Sequence, residues 1–404
     1  MNRINELIKE YCPDGVEIRS LEDCCNLLDK KRKPITKASR EAGEYPYYGA
    51  NGIQDYVANY IFDGMFVLVG EDGSVITKSG TPVVTWAEGK IWVNNHAHII
   101  EEKDGVMLRY LYHYLQTIDV TSLIHGNIPK LTSGDFKALK IAVPPLEVQR
   151  EIVHILDYFT LLTAELTAEL TARKKQYNFY RDKMLNFGNK AAVYKMSELC
   201  ESIADGDHMP PPKSDEGIPF ITISNINEYH NIDFENTMYV PELYYNSLAE
   251  KRKPHKGDIL YTVVGSYGIP VCVEDDKKFV FQRHIAILRP NKDIIKSRYM
   301  FHAMQSTDFK IQADKLAKGA AQKTIALSAL GKMKMPVPSL DVQEKIIKVL
   351  DNFESICTDL NIGLPAEIEA RQKQYEYYRD LLLTFAETGG TLMTDRQTDR
   401  AERN

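Results

Sequence analysis

The sequence lacks long apolar runs and is poor in cysteine. No hydrophobic stretch approaches the ~18–20 residues needed to cross a bilayer, and the N-terminal segment MNRINELIKEY lacks the apolar core of a signal peptide. We therefore expect a cytoplasmic protein. The six cysteines are scattered without a C-x-x-C pair, which argues against a zinc site and favours free thiols. The net charge of −6 excludes a protein that coats nucleic acid through bulk positive charge, but it leaves room for local basic patches.

The sequence also lacks the motifs that carry catalysis. It contains no P-loop, no dinucleotide-binding glycine motif after a strand and no Asn-Pro-Pro-aromatic motif. His96 and His98 alternate on a predicted strand without a carboxylate or cysteine at ligand spacing, which favours packing or nucleic-acid contact over metal binding. The segment ADGDH (204–208) is more typical of a turn than of a catalytic site. We predict no catalytic residue, no metal site and no cofactor bound by this chain.

An internal repeat is the most informative feature that is present. Residues 144–159 (PPLEVQREIVHILDYF) recur as 338–353 (PSLDVQEKIIKVLDNF), an offset of 194 (338 − 144). Residues 172–187 (ARKKQYNFYRDKMLNF) recur as 370–385 (ARQKQYEYYRDLLLTF), an offset of 198 (370 − 172). A period this long exceeds any solenoid unit and indicates a duplicated module made of a globular domain and a helix.

The repeated segments have the pattern of long helices. Residues 147–187 contain neither Gly nor Pro, and their apolar residues recur at steps of three, four and seven. About 40 residues at ~1.5 Å each make a rod of about 60 Å, which suggests a coiled coil or a spacer. The second copy carries Gly363 and Pro365, which predict a kink or a break at 361–365.

These patterns predict an α+β protein. We expect two mixed α/β domains, each followed by a long helix, with the two helices forming an antiparallel coiled coil with pseudo-two-fold symmetry. Short β-rich runs bounded by Gly, Asn and Asp precede each helix. The predicted segments are a first domain with a short N-terminal helix (1–143), a central helical spacer (144–188), a second domain (189–336), a C-terminal helical spacer (337–386) and a disordered tail (387–404).

The repeated pattern PLxVQ…LDxF…ARxKQYxxYRD, which follows a proline-rich exit from a mixed domain, resembles the specificity (S) subunit of type I restriction–modification systems. The stretch DGDH-x8-GIPFITISNI (205–226) is similar to the start of one class of that family's target recognition domains, and YPYYGANG (45–52) to another class. The tandem TAEL at 163–170 resembles the type IC subgroup, in which the number of these units varies.

The resemblance implies a non-catalytic subunit that binds double-stranded DNA. Each target recognition domain would read one half of a bipartite, asymmetric site. Two methyltransferase (M) subunits would supply adenine-N6 methylation from S-adenosylmethionine, and two restriction (R) subunits would use ATP and Mg²⁺. No membrane partner is expected. Three alternatives stay open: a coiled-coil adaptor that binds only protein, the specificity subunit of a related modification or restriction system, and an enzyme whose site is unrecognised.

Candidate DNA contacts are chosen by chemistry, since basic and small polar groups suit phosphates while amide, guanidinium and imidazole groups reach base edges. The stretches 126–130 and 318–323 occupy the same place in both modules and each carries a basic residue. The candidates in the first domain are Lys30, Lys31, Arg32, Lys33, Tyr47, Tyr48, Asn51, Gln54, Asn94, Asn95, His96, Asn127 and Lys130. The candidates in the second domain are His208, Lys213, Ser224, Asn225, Lys251, Arg252, Lys256, Lys318, Gln322 and Lys323.

The repeated motif KQYxxYRD supplies candidates for subunit contacts, because aromatic residues and Arg are enriched in interfaces. Packing within the coiled coil explains the same residues equally well. The candidates are Tyr177, Tyr180, Arg181, Tyr375, Tyr378 and Arg379.

The expected bipartite DNA site has an unread spacer, that is, base pairs between the two half-sites that neither domain recognises. A third TAEL unit is predicted to lengthen this unread spacer by about one base pair. Four residues add about 6 Å and turn the far end of the helix by about 40°, against about 3.4 Å and roughly 34° for one base pair. The rotation matches directly, and the translation matches if the helix lies oblique to the DNA. Methylation mapping of the insertion variant measures the spacer, and an unchanged length would contradict this ruler.

Overall fold

The computed structural model describes residues 2–206, 211–227, 229–320, 322–359 and 361–388. The tail that the sequence predicts to be disordered therefore lies outside the described residues from 389 onward, as does the candidate His208. Among the described residues, no helix combines the length and the apolarity that crossing a membrane requires.

Two compact units make up the chain. Unit 1 consists of residues 1–164 and 370–404, and unit 2 of residues 165–369. The unit boundaries fall inside the two predicted helical spacers, because each helix shares apolar packing with a globular domain. Each unit thus contains one globular domain and portions of both helical arms.

Unit 1 is built on a six-stranded sheet of strand order β2-β7-β5-β6-β3-β4. Its strand β5 lies in the interior of the sheet, and residues 66–70 of this strand are buried in an unbroken run because both faces are covered. The elements up to the first arm are α1 (Asn2–Tyr11), β1 (Glu17–Ser20), α2 (Leu21–Cys24), β2 (Asn26–Leu27), β3 (Ala42–Gly49), β4 (Gly52–Val57), β5 (Phe62–Gly70), β6 (Val84–Val93), β7 (Ala97–Glu101), α3 (Leu108–Leu115), β8 (Ile124–His125), β9 (Lys130–Leu131), α4 (Ser133–Ala138), β10 (Lys140–Val143) and α5 (Leu146–Leu185).

Unit 2 contains a four-stranded sheet of order β12-β18-β15-β16 and a three-stranded sheet of order β14-β13-β17. The elements are β11 (Ala192–Lys195), α6 (Met196–Leu199), β12 (Cys200–Asp205), β13 (Ile218–Ile221), β14 (Met238–Val240), α7 (Glu242–Ser247), β15 (Ile259–Thr262), β16 (Pro270–Cys272), β17 (Val280–Phe281), β18 (Ile285–Pro290), α8 (Ser297–Met304), α9 (Thr307–Leu316), α10 (Leu327–Leu330), β19 (Lys334–Val337), α11 (Leu340–Thr358) and α12 (Leu364–Thr388), the last of which continues into unit 1.

The same strand pair closes both globular domains. In unit 1 the first strand β1 runs antiparallel to the last strand β10, with Glu17 opposite Val143. In unit 2 β11 runs antiparallel to β19, with Ala192 opposite Val337. The two ends of each domain are therefore held side by side, and the chain between them is free to differ without disturbing the helix that follows.

The two helical arms differ in continuity. α5 is unbroken over 40 residues and contains both TAEL units. The second arm breaks between α11 and α12, as the sequence predicts. The Asp359 carboxylate accepts hydrogen bonds from the amides of Asn361 and Ile362, and a Cβ atom at Gly363 would lie 2.6 Å from two carbonyl oxygens. Pro365 falls in the first turn of α12, where its missing N–H costs nothing.

The arms pack together within each unit, as expected of a coiled coil. In unit 1 the Phe159 ring of α5 stacks on Tyr378 of α12, with ring centroids 5.1 Å apart. In unit 2 Tyr180 of α5 stacks on Phe353 of α11 at 5.5 Å. The N-terminal part of α5 therefore packs on α12, and the C-terminal part of α5 packs on α11. Two arms that pair in this order are antiparallel.

A buried set of polar side chains, which we call the polar joint, connects each globular domain to both arms. In unit 1 His113 of α3 contacts Asp157 of α5 through Nε2 at 2.9 Å and the Tyr375 hydroxyl of α12 through Nδ1 at 2.9 Å. Arg109 donates to the same Asp157 carboxylate at 2.7 Å. His113 is fully buried, so this geometry fixes both arms on the domain.

Unit 2 repeats the polar joint residue for residue. His302 of α8 contacts Asp351 of α11 at 2.7 Å and the Tyr177 hydroxyl of α5 at 2.9 Å, and Arg298 donates to Asp351. The sequence signal is R-Y-x-x-H, at 109–113 and again at 298–302.

The pKa shifts assign the protons in the polar joint. Burial lowers the pKa of His113 and of His302, against the opposing effect of the nearby carboxylate. Burial acts to raise the pKa of Asp157, but hydrogen bonds from His113 and Arg109 outweigh it and lower that pKa. Burial raises the pKa of Tyr375. A neutral imidazole therefore donates to an ionised carboxylate and accepts from the tyrosine hydroxyl.

A buried glutamine supports each polar joint. Gln149 is fully buried. Its side chain accepts from the amide of Met107 and donates to the carbonyls of Gly105 and Pro144. Gln343 makes the equivalent three bonds in unit 2. Three backbone groups that burial would otherwise leave unpaired are satisfied by one side chain, which explains the glutamine in the repeated PLxVQ motif.

Tyr177→Phe should destabilise unit 2 by about 1–3 kcal/mol, because it removes one hydroxyl and leaves the buried Nδ1 of His302 unpaired. The midpoint of urea unfolding measures the effect. The matched control is Tyr180→Phe, which removes a hydroxyl from a side chain that is 38% exposed and keeps its stacked ring. Equal midpoints for the two variants would show that the polar joint does not stabilise the fold.

Candidate nucleic-acid interface

The candidates of the first domain converge on one group of loops, the loop edge of unit 1, formed by residues 48–54, 70–73, 94–96 and 127–131. The amide of Asn94 donates to the carbonyl of Tyr48, and its side chain donates to Gln54 at 3.3 Å. The amide of Glu71 donates to the carbonyl of His96, and the His96 ring contacts Asp72. These contacts join segments that lie far apart in sequence.

The hairpin of β8 and β9 completes this edge. The amide of Gly73 donates to the Pro129 carbonyl at 2.9 Å, and the amide of Leu131 donates to the Glu71 carbonyl at 2.9 Å. Asn127 is exposed at the tip of the hairpin. The stretch 126–130 is thus held against the turn that follows β5.

An ionic network underlies the loop edge of unit 1. Arg32 donates to the Glu71 carboxylate and to the Ala97 carbonyl, each at 2.6 Å. The fully buried His98 contacts Asp29 at 2.6 Å through Nδ1. Burial acts to raise the pKa of Asp29, but the hydrogen bond and charge of His98, with further help from Arg32, lower it. The network fixes the basic segment 29–33 beside the turn after β5.

Asp29, Glu71 and His98 also lie close enough together to suggest a metal site. Arg32 pairs with both carboxylates, at 3.4 Å from Asp29 and 2.6 Å from Glu71, and the Lys130 ammonium lies 3.3 Å from Glu71. These side chains already supply the positive charge that a cation would bring, so the cluster is best read as structural support.

The candidates of the first domain divide by exposure. Tyr47 and Tyr48 are 1% and 7% exposed and Asn94 is 3% exposed, so these three support the edge from within. Arg32 is half-buried in the ionic network. The candidates with exposed side chains are Lys30, Lys31, Lys33, Asn51, Gln54, Asn95, His96, Asn127 and Lys130.

Strand direction creates a second loop edge in unit 2. β12 and β15 both run antiparallel to β18, so Asp205 and Thr262 end opposite the first residues of β18. β13 and β17 run parallel and end together at Ile221 and Phe281. The loops that follow these four strands therefore gather where β18 begins. This loop edge of unit 2 comprises Gly206 and residues 222–225, 263–268, 282–284, 318–320 and 322–325.

The two loop edges share one backbone frame. In unit 2 the amide of Ile325 donates to the Val263 carbonyl at 2.8 Å, as Leu131 does to Glu71 in unit 1. The amide of Gly265 donates to the Lys323 carbonyl, as Gly73 does to Pro129. The structure thus places the basic stretches 126–130 and 318–323 at equivalent positions, and Lys318, Gln322 and Lys323 are exposed there.

The other candidates of the second domain are dispersed. Ser224 is exposed on the loop edge, whereas Asn225 is 6% exposed and accepts from the amide of Thr222 through its side chain. Lys213 is exposed just before the bridge of Ser214 to Tyr239. Lys251 is exposed, and Arg252 lies 3.7 Å from the Asp205 carboxylate.

Lys256 is also exposed, but it lies just before the N-terminal end of β15, whereas Gly265 and the loop edge follow the C-terminal end of that strand. Its amide donates to Asp276 at 2.9 Å. The structure therefore does not bring Lys256 to the loop edge of unit 2.

Sequence reasoning missed Arg283 and His284. The amide of Val263 donates to the His284 carbonyl at 2.9 Å, just as Glu71 donates to His96. Burial lowers the pKa of His284, and the charge of Arg283 lowers it further. The likeness between His96-Ala97-His98-Ile99 and His284-Ile285-Ala286-Ile287 is a signal in the sequence that points to this loop.

The helix candidates mostly face their own unit. Tyr177 and Tyr375 are 6% and 7% exposed and belong to the polar joints. Arg181 is 3% exposed and lies over the Tyr177 ring. The candidates that keep accessible surface are Tyr180, which is exposed, and Tyr378 and Arg379, which are half-buried.

Known proteins share this organisation. The family described as "Type I restriction modification DNA specificity domain" matches residues 13–173 and 189–370, one globular domain in each range. The chain belongs to this family. A Haemophilus influenzae protein named as a type I restriction enzyme specificity subunit is 34% identical over 385 residues, which cover 92% of this chain and 96% of the relative.

Two further comparisons agree. The EcoR124I/EcoR124II specificity subunit of Escherichia coli is 32% identical over 311 residues, covering 70% of this chain and 72% of that subunit. The crystal structure of a type I restriction-modification S subunit from M. genitalium has a TM-score of 0.53 and 17% identity, and the match covers 92% of this chain and 96% of that S subunit. The specificity subunit fold therefore extends over most of the chain. The family consists of non-catalytic DNA-recognition subunits.

Replacing both Lys318 and Lys323 of the specificity subunit with Ala should lower the DNA affinity of its complex by the same factor for every DNA sequence. Loss of phosphate contacts should also reduce the slope of log K against log salt by about 1 for each contact. The control is Lys256→Ala, which removes one lysine charge from the opposite end of β15. Binding titrations at several salt concentrations measure the slope, and a loss per removed charge that is equal in the control would contradict the assignment.

Proposed function

We propose that this specificity subunit reads a bipartite, asymmetric DNA site, one half with the loop edge of each unit. The supporting observation is that the two edges share one backbone frame but carry different side chains. Asn51, Asn95 and His96 occupy the first, and Ser224, Arg283 and Gln322 the second. Because the two loop edges have the same backbone frame, they can approach the groove of one duplex in the same way. Because their side chains differ, they can recognise two different base sequences.

The partners of the complex follow from the family, and their number is part of the proposal. Two M subunits would carry S-adenosylmethionine and methylate adenine N6 in the two halves of the site, and two R subunits would use ATP and Mg²⁺ to cut DNA. This chain would bind none of these cofactors itself. A cytoplasmic location stays a prediction.

The helical arms are the proposed surface for M subunits. They are made of repeated sequence, so two copies of one partner would meet two similar surfaces. Tyr180 offers an exposed aromatic ring on α5, stacked on Phe353 and thus held in one orientation. The loop edges then remain open for DNA.

Methylome sequencing of a host that carries this chain with its M subunit tests the proposal. We expect N6-methyladenine in one bipartite motif with two unlike halves and a fixed unread spacer. The control omits the specificity subunit and should abolish the modification. A single continuous motif, or two identical halves, would overturn the proposal.

A further inference from the structure

A single arginine stands out on the loop edge of unit 2. Arg283 lies in the loop between β17 and β18 and its side chain is exposed. It makes no hydrogen bond or ion pair with the part of the chain that the structure describes. Other arginines of the unit are engaged: Arg289 and Arg298 donate to the carboxylates of Asp258 and Asp351. Within residues 2–206, 211–227, 229–320, 322–359 and 361–388, nothing pairs with the Arg283 guanidinium at the place where the loops gather.

The backbone that carries Arg283 is fixed on several sides. The amide of Gln282 donates to the Ile221 carbonyl at 2.8 Å, and the amide of Ile285 donates to the Gln282 carbonyl at 2.9 Å. The carbonyl of His284 accepts from Val263. A rigid backbone whose side chain has no partner among the described residues loses little conformational freedom on binding except that of the side chain itself.

Gly206 adds a close approach from another strand. A Cβ atom at this position would lie 2.1 Å from the Phe281 carbonyl oxygen and 2.8 Å from the Arg283 amide nitrogen. Only glycine fits there without displacing the loop. The glycine of the DGDH motif thus has a structural reason, which is to let the end of β12 meet the backbone of Arg283.

The equivalent position in unit 1 supports the same role. His96 and His284 accept from equivalent amides, so the residues before them, Asn95 and Arg283, are equivalent as well. Both side chains are exposed. The amide of Asn is suited to the N6 and N7 atoms of adenine, and the fork of Arg is suited to the O6 and N7 atoms of guanine. One frame thus presents a different base-reading group in each unit.

We propose that Arg283 reads a guanine in the half-site bound by unit 2. This inference rests on the proposed function and narrows it to one residue and one base. Neighbouring groups have complementary roles: Lys318 and Lys323 of the same loop edge are compact cations suited to phosphates. Arg283 differs from them because its planar fork offers two parallel donors to one base edge.

The test compares Arg283→Lys and Arg283→Ala in the complex with M subunits. Lys keeps the positive charge but cannot form the bidentate contact. Both variants should lower discrimination at one position of one half-site by about 10- to 100-fold. In Arg283→Lys the salt dependence of binding should stay unchanged, because the charge is kept. Methylome sequencing and salt titrations on DNA substrates that vary at each position measure the two quantities.

Two controls separate base reading from other effects. Lys292→Ala removes an exposed charge beyond the far end of β18 and should change neither motif nor affinity. Asn95→Ala should relax one position in the other half-site. The unfolding midpoint of the Arg283 variants should equal that of the wild-type chain, because the side chain is exposed and makes no hydrogen bond or ion pair with the described residues.

The outcomes separate this inference from the proposed function. Suppose that the wild-type complex has a bipartite motif and that Arg283→Lys leaves the discrimination at every position of this motif unchanged. Arg283 then does not read a base. An Arg283→Ala variant that then weakens all sequences equally identifies a phosphate contact and also overturns the inference. If the wild-type complex methylates no bipartite motif, the proposed function itself is contradicted.

Discussion

The polar joint is the interaction on which the rest of the molecule depends. Its central histidine is fully buried in each unit and receives one partner from each helical arm. A buried histidine left unpaired costs free energy, so the contact is most stable when the domain and both arms are all in place. The repeated KQYxxYRD motif is explained first by this packing, because the hydroxyls of Tyr177 and Tyr375 complete the two joints. Among the four tyrosines that the KQYxxYRD motif specifies in its two copies, Tyr180 is the most exposed, at 38%.

Duplication and divergence act on different parts of each unit. The joint and the paired first and last strands are repeated almost unchanged, while the sheets between them differ in strand number and order. Because β1 pairs with β10 and β11 with β19, the intervening chain begins and ends at one place in each unit. The loops can therefore change sequence without moving the helices.

Asymmetry between the arms has its own physical basis. α5 is continuous through both TAEL units, so each unit added or removed changes its length by slightly more than one helical turn. The second arm is interrupted at 359–363, where Asp359 caps the free amides and Gly363 allows close backbone approach. The unit boundary at residues 164 and 165 falls within the first TAEL unit. The TAEL segment therefore lies where unit 1 gives way to unit 2.

The sequence by itself determined the duplication, the α+β class, the long helices and the break near Pro365, because periodicity and proline act locally. It also indicated, by their repeated position, that the basic stretches 126–130 and 318–323 correspond to each other. The tertiary structure decided which candidates share an edge: it gathered Asn51, Asn95 and His96, left Lys256 at the opposite end of its strand and revealed Arg283. Strand pairing sets these distances, and pairing joins residues whose separation in the chain carries no local signal. The same reason hid the polar joint, since its histidine and tyrosine lie 262 residues apart in unit 1 and 125 apart in unit 2.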